Sequence, residues 1–194
     1  QPSYELSEGA VGHVRVLGPE DGGGVTPFGT RRNFKRDSHP GRPEVLVVAR
    51  MWGHFATLLR ATVGTMLPEQ GVCITDWHNA RDVPLADGAF GFDDYVSHLI
   101  RFLQTMGEGA HMVAVCQPAV QALVAAAAMA QAKDPTAPRS MTLMAGPVDC
   151  RINPTGVNEL ATSKPIEWFE KNLIATVPAR HKGAGRKVYP GFVQ

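Results

Sequence analysis

His111-Met112-Val113-Ala114-Val115-Cys116-Gln117-Pro118 is the stretch on which the reading of this chain turns. Residues 112–115 form an apolar run with β-branched members, the pattern of a strand buried on both faces of a sheet. From Pro118 onward, Ala-Val-Gln-Ala-Leu-Val-Ala-Ala-Ala-Ala-Met-Ala is strongly helix-forming. Only Cys116 and Gln117 separate the two elements. A turn that tight lifts its central side chain out of the sheet edge and sets it over a helix N-terminus, where unpaired amides and a partial positive charge favour an anion. Proline at the first helical position removes only an N–H that would have lacked a partner there. The geometry is that of a nucleophile elbow, with a thiol where hydrolases more often carry serine. The alternative is a structural role, since cysteine is most often a small buried hydrophobe. Ala114 and Pro118 also stand where the elbow pattern usually has glycines.

Working outward, residues 44–49 are a second continuous apolar run, followed by Arg50-Met51-Trp52-Gly53-His54 and then a helical pattern over 55–67 with apolar Phe55, Leu58, Leu59, Val63 and Met66. Residues 71–75 read as a short strand. The polar segment 76–84, which includes Trp77, lies at its C-terminal end, where open parallel sheets keep their sites. Residues 92–106 are amphipathic with acidic residues at the start, and 140–145 supply a further strand before Gly146-Pro147. Residues 11–17 read as a half-exposed strand and 25–35 as a second strand, with the Gly22-Gly23-Gly24 turn between them. Strands and helices alternate with short links from 44 to 145, which predicts an α/β fold: a mostly parallel sheet with helices on both faces. Beyond Pro147 the alternation stops and prolines punctuate the chain. One clear helix, 165–175, carries Ile166, Trp168, Phe169 and Leu173. The expected organisation is a core over 1–146 and the start of a cap or lid over 147–194.

At 194 residues and 44% hydrophobic composition the chain can build one sizeable core. A formal net charge of +1 argues against nucleic acid as a main partner and against a polybasic membrane anchor. Arg31, Arg32, Lys35 and Arg36 read as a solvated surface. No stretch has the apolar length of a membrane span, and the start is unlike a signal peptide. Cys73, Cys116 and Cys150 are too few and too widely spaced for a disulfide framework or a zinc site, so a reducing, cytoplasmic setting is the simplest expectation. No cofactor is expected. The chain has no initiator methionine and is expected to be a fragment.

Counting 11–17 and 25–35 as the first two strands makes 44–49 the third, 71–75 the fourth and 111–115 the fifth. This is the α/β-hydrolase order, in which the nucleophile follows the fifth strand and one oxyanion donor comes from the loop after the third. The backbone of Met51-Trp52-Gly53 and the Gln117 amide would then face the carbonyl under attack, where one donor is worth ~3 kcal/mol in the transition state. The candidate site is Cys116 as nucleophile, the amides of Gln117 and Trp52 as oxyanion donors, and Met51, Gly53, His54 and Trp77 against the substrate. A thiol also needs a base. His181, the histidine that follows Cys116, reads as an exposed loop residue; His54 is an alternative by position, and Asp149 comes one strand early for the usual acid. His78, His98 and His111 lack metal-site spacing.

Five segments in order, VLVVARMWGHFATLLRATV, VCITDWHNARDVP, HMVAVCQPAV, PRSMTLMAGPVDCRINPTGVNELA and VYPGFVQ, resemble the intracellular poly(3-hydroxybutyrate) depolymerases from about Pro27 to the last residue. The resemblance implies an α/β-hydrolase fold and a cysteine nucleophile at Cys116. It also implies an acyl-enzyme, and hydrolysis of amorphous storage polyester at cytoplasmic granules. It places the catalytic aspartate and histidine beyond residue 194, so the chain alone would be incomplete. Arg50 and Trp52 depart from the proline and small residue the pattern has in the oxyanion loop. Two other classes stay open: a polyester-granule-binding remnant without turnover, using the apolar segment around Trp168 and Phe169, and an acyltransferase of the polyhydroxyalkanoate synthase kind, against which Gln117-Pro118 speaks.

Overall fold

The computed structural model describes residues 14–17, 24–36, 41–51 and 56–190. Six strands form one sheet: β1 (Val14–Leu17), β2 (Gly29–Arg36), β3 (Glu44–Val48), β4 (Gly71–Trp77), β5 (His111–Val115) and β6 (Met141–Met144). Their order is β1-β2-β4-β3-β5-β6. β1 and β2 run antiparallel and β2 joins β4 antiparallel, whereas β4, β3, β5 and β6 are mutually parallel. The expected α/β class and strand count therefore hold.

Period-two alternation sorts each central strand between two layers. Leu46 and Val48 of β3, Cys73 of β4 and Met112 and Ala114 of β5 point into one core with α2 (Phe92–Met106) and α3 (Ala119–Gln131). Val45 and Val47, Val72 and Ile74, and Val113 point to the other, closed by Ala56, Val63 and Leu67 around α1 (Arg60–Met66). Helices thus cover both faces, as the buried character of β3 and β5 requires. α3 approaches the sheet through Ala119, Ala122 and Ala125, all fully buried, so its backbone lies close beneath the end of β5.

The boundaries differ from expectation in instructive places. β2 starts at Gly29 rather than 25, because Thr26 closes a turn: its amide donates to Gly29 O at 2.8 Å, and the Gly29 amide donates to Thr26 Oγ1 at 2.9 Å. β4 runs on through Asp76 and Trp77 since β2 pairs alongside, Gly29 opposite Trp77. The helix expected over 55–67 opens as a 3₁₀ turn, Ala56–Leu59, before α1. After β6 come α4 (Gly156–Ser163), α5 (Ile166–Asn172) and a small antiparallel pair, β7 (Ala175–Thr176) and β8 (Lys187–Val188). This pair folds back onto the loop after β4. The Gly183 amide donates to Arg81 O at 2.8 Å, and a Cβ at Gly183 would lie 2.6 Å from Ala80 O, so only glycine fits the approach. Arg186, buried, donates to the carbonyls of Val83, Pro84 and Gly88 and stacks 5.2 Å from the Phe28 ring centroid.

The end of β3 is pinned from two sides. The Trp77 indole N–H donates to Ala49 O at 2.9 Å and the Tyr95 hydroxyl at 3.0 Å, while the Ala49 amide donates to Thr75 Oγ1 at 2.9 Å. Burial pushes the Tyr95 hydroxyl well above the ordinary tyrosine range, so it stays protonated and remains a donor. Tyr95→Phe should cost about 1 kcal/mol, one buried hydrogen bond, with Trp77 still in place. Urea unfolding measures this, and an unchanged midpoint would refute the assignment.

Candidate active site

Cys116 occupies the turn between β5 and α3 and has φ of 69°, the left-handed region that a side chain rarely adopts. Its amide donates to Met144 O at 2.8 Å, extending the β5–β6 pairing by one step, and its carbonyl accepts from the Ala119 amide at 3.1 Å. Pro118, at φ of −69°, stands one residue before the first turn of α3, close to its expected place. These bonds hold the strained backbone on both sides, so the thiol is presented at the top of the sheet and is only half-buried.

The elbow also leans on β6. A Cβ added at Gly146 would lie 2.0 Å from Ala119 Cβ and 3.0 Å from Cys116 O, so the absence of a side chain there lets the two turns meet. Ala145 beside it has φ of 51°. In the sequence Gly146 marks only the end of a strand.

Cys116 lines a small pocket, open to solvent, with Val115, Ala49, Arg50, Ala56, Leu58 and Leu59. The apolar spacing over 55–67 predicts a single helix that includes Leu58 and Leu59. The 3₁₀ turn instead leaves Leu58 56% exposed, and it forms part of the pocket wall. The two adjacent leucines are plain in the sequence, but the turn type is not.

Of the other expected site residues, Trp52, Gly53 and His54 lie outside the described residues. Met51 is half-buried against the core under α2 and α3 and is not part of the pocket wall. Trp77 is buried, stacks 4.3 Å from the Tyr95 ring centroid and gives its indole N–H to Ala49. It therefore sits behind Ala49 at the end of β3, whose carbonyl it holds, and is not part of the pocket wall.

None of the described histidines lines the pocket. His78 bridges Pro27 O and Thr30 Oγ1, His98 bridges Asp94 O and Thr26 Oγ1, and His111 meets Ser140 Oγ at 2.7 Å. The His181 ring accepts from the Arg180 guanidinium at 3.3 Å, in the segment between β7 and β8. Asp149 accepts from the Arg151 guanidinium and amide, which holds its carboxyl below the usual range and commits it to its own turn. Among the described residues no group of three His, Cys, Asp or Glu is arranged to hold a metal ion, and no helix is long and apolar enough to cross a membrane.

A parallel sheet in this strand order, with a left-handed residue at the β5–α3 turn, defines the α/β-hydrolase fold. The crystal structure of a "putative lipase (lip1)" from Acinetobacter baumannii AYE is similar at a TM-score of 0.54 and 15% identity over 91% of this chain, which spans 60% of that protein's length. Residues 145–194 match the family described as PHB de-polymerase C-terminus, in agreement with the resemblance seen across the sequence. No curated protein matches the chain.

Two substitutions test the elbow. Cys116→Gly relieves the left-handed strain that Cys116→Ala retains, so the glycine variant should be the more stable of the two by about 1 kcal/mol in denaturant unfolding. Equal stability would show that the turn is not under strain. Gly146→Ala should destabilise by about 1–3 kcal/mol through overpacking against Ala119. A melting curve that does not move would mean that the two turns do not touch.

Proposed function

We propose that this chain carries the nucleophilic half of an ester hydrolase acting on poly(3-hydroxybutyrate), with Cys116 as the attacking residue. The observation that carries this reading is a left-handed cysteine at the β5–α3 turn, opening onto an apolar pocket. The depolymerase-family match begins at Ala145, immediately behind that turn. Sγ would attack an ester carbonyl, and the oxygen's developing charge would be met by the Gln117 amide and by amides of the 51–53 loop, whose root at Ala49 is fixed. Collapse of the tetrahedral species breaks the ester C–O bond. The alcohol leaves with a proton and an acyl thioester remains on Cys116, which water then cleaves to the free acid. The base belongs outside the described pocket wall. The setting that fits this substrate is the surface of a cytoplasmic storage granule.

A second reading, polymer binding without turnover, is favoured by the exposed Val148, Ile152, Val157, Leu160 and Ile166 along the segment after β6. One experiment separates the two. An activated butyrate ester should leave an acyl group on Cys116, located by peptide mass mapping, and amorphous polymer should release 3-hydroxybutyrate oligomers. Cys116→Ala should abolish the adduct and lower release on the order of a hundredfold or more, and Cys116→Ser should lower release sharply. Granule binding that persists with neither adduct nor release would favour the second reading. Acylation at Cys73 or Cys150 instead would refute the nucleophile assignment.

A further inference from the structure

Arg186 and Ala49 lie at the two ends of one continuous packing path. The buried Arg186 guanidinium donates to the carbonyls of Val83, Pro84 and Gly88 at 3.3, 2.6 and 2.7 Å. A planar fork of donors can hold several carbonyls at once, so one side chain fixes the backbone of the 83–88 loop. That loop delivers Phe90, whose ring centroid lies 4.7 Å from that of Phe28, 5.8 Å from Trp77 and 6.3 Å from Tyr95. Arg186 closes the other side of the same group, 5.2 Å from the Phe28 ring centroid. Trp77 and Tyr95, with ring centroids 4.3 Å apart, in turn give their indole and hydroxyl hydrogens to the Ala49 carbonyl. Ala49 lines the pocket together with Cys116.

Close-packed rings leave little slack, so a shift of Phe90 removes packing from one side of Trp77 and Tyr95 and lets both relax toward the gap. Their bonds to Ala49, at 2.9 and 3.0 Å, weaken steeply as distance and angle change. Arg186, carried between β7 and β8, thus bears on a pocket wall of which it is not itself a part. We propose that Arg186 is a positioning residue for the Cys116 pocket. Seated on the 83–88 loop, it holds the Ala49 end of β3 through Phe90, Trp77 and Tyr95; unseating it loosens that wall and opens the thiol to solvent. Residues 175–188 are then a strap whose seating governs reactivity at the site, whatever the substrate.

Amide hydrogen exchange followed by NMR on the full 194-residue chain tests this. The Ala49 amide, bonded to Thr75 Oγ1, reports the pocket end; the Gly183 amide, bonded to Arg81 O, reports the strap; Val47, within β3, reports the sheet. In Arg186→Met, exchange should quicken at Gly183 and, roughly tenfold, at Ala49, with Val47 unchanged. Arg186→Lys, which keeps the charge but not the fork, should fall between the two. Phe90→Leu cuts the path in its middle, so Ala49 should quicken while Gly183 stays slow, and adding Arg186→Met should then change Ala49 little. Iodoacetamide alkylation of Cys116, read by peptide mapping against Cys150, should rise severalfold in Arg186→Met. Faster exchange at Gly183 with Ala49 unmoved would make Arg186 a fastener of the strap alone, and an equal rise at Val47 would make it a general stabiliser; either overturns the proposal. So would an unmoved alkylation ratio, or fully additive effects at Ala49 in the double variant.

Discussion

The carbonyl oxygen of Ala49 receives the Trp77 indole N–H and the Tyr95 hydroxyl, and the amide of the same residue is held by Thr75. A carbonyl has two lone pairs, so both are spoken for. The three partners come from β4 and α2, elements that pack on β3 for reasons unrelated to chemistry. Their convergence stops β3 at a defined height. Arg50 inherits its position from that one peptide unit, and Cys116 lines the same pocket because β5 is the neighbouring parallel strand. In a low-dielectric setting these bonds are strong, and a gap at any of them would leave a buried polar atom without a partner.

The elbow itself is held from below and from the side. Small residues on α3 bring its backbone close to the sheet, and the glycine after β6 lets a third strand's end press against the same corner. The strained torsion at Cys116 persists because its amide and carbonyl are both bonded to neighbours that cannot easily move. Strain of this kind survives only where the surroundings over-determine it. It is an observable mark of a presented side chain, in contrast to a cysteine such as Cys73, which lies flat in β4 and is buried.

Much of this is legible in the sequence. The apolar runs at 44–49 and 111–115 and the amphipathic stretch at Phe92–Met106 are long, regular and bounded by turn residues, so period alone places them. What periodicity could not show were features set by distant contacts. Trp77 looked like a polar-loop residue because its strand continues only under the influence of β2. α4 is signalled by the Thr155 and Asn158 side chains capping each other's amides, but it has no buried face to advertise it. β7 and β8 are two residues each, too short for alternation to register. The pocket wall at Leu58 depended on a 3₁₀ turn that apolar spacing does not distinguish from the first turn of an α-helix.

Arg186 has a consequence for the order in which the chain acquires its shape. Its guanidinium clasps the backbone of Val83, Pro84 and Gly88, about a hundred residues earlier, and shields the ring of Phe28 as well. A clasp that spans so much chain cannot lead assembly, because the entropy of closing so long a loop must first be offset by the sheet between its ends. It forms late and, by the same reasoning, opens early. The segment from β7 to β8 can therefore detach and re-dock while the sheet stays intact, a local equilibrium separate from global unfolding.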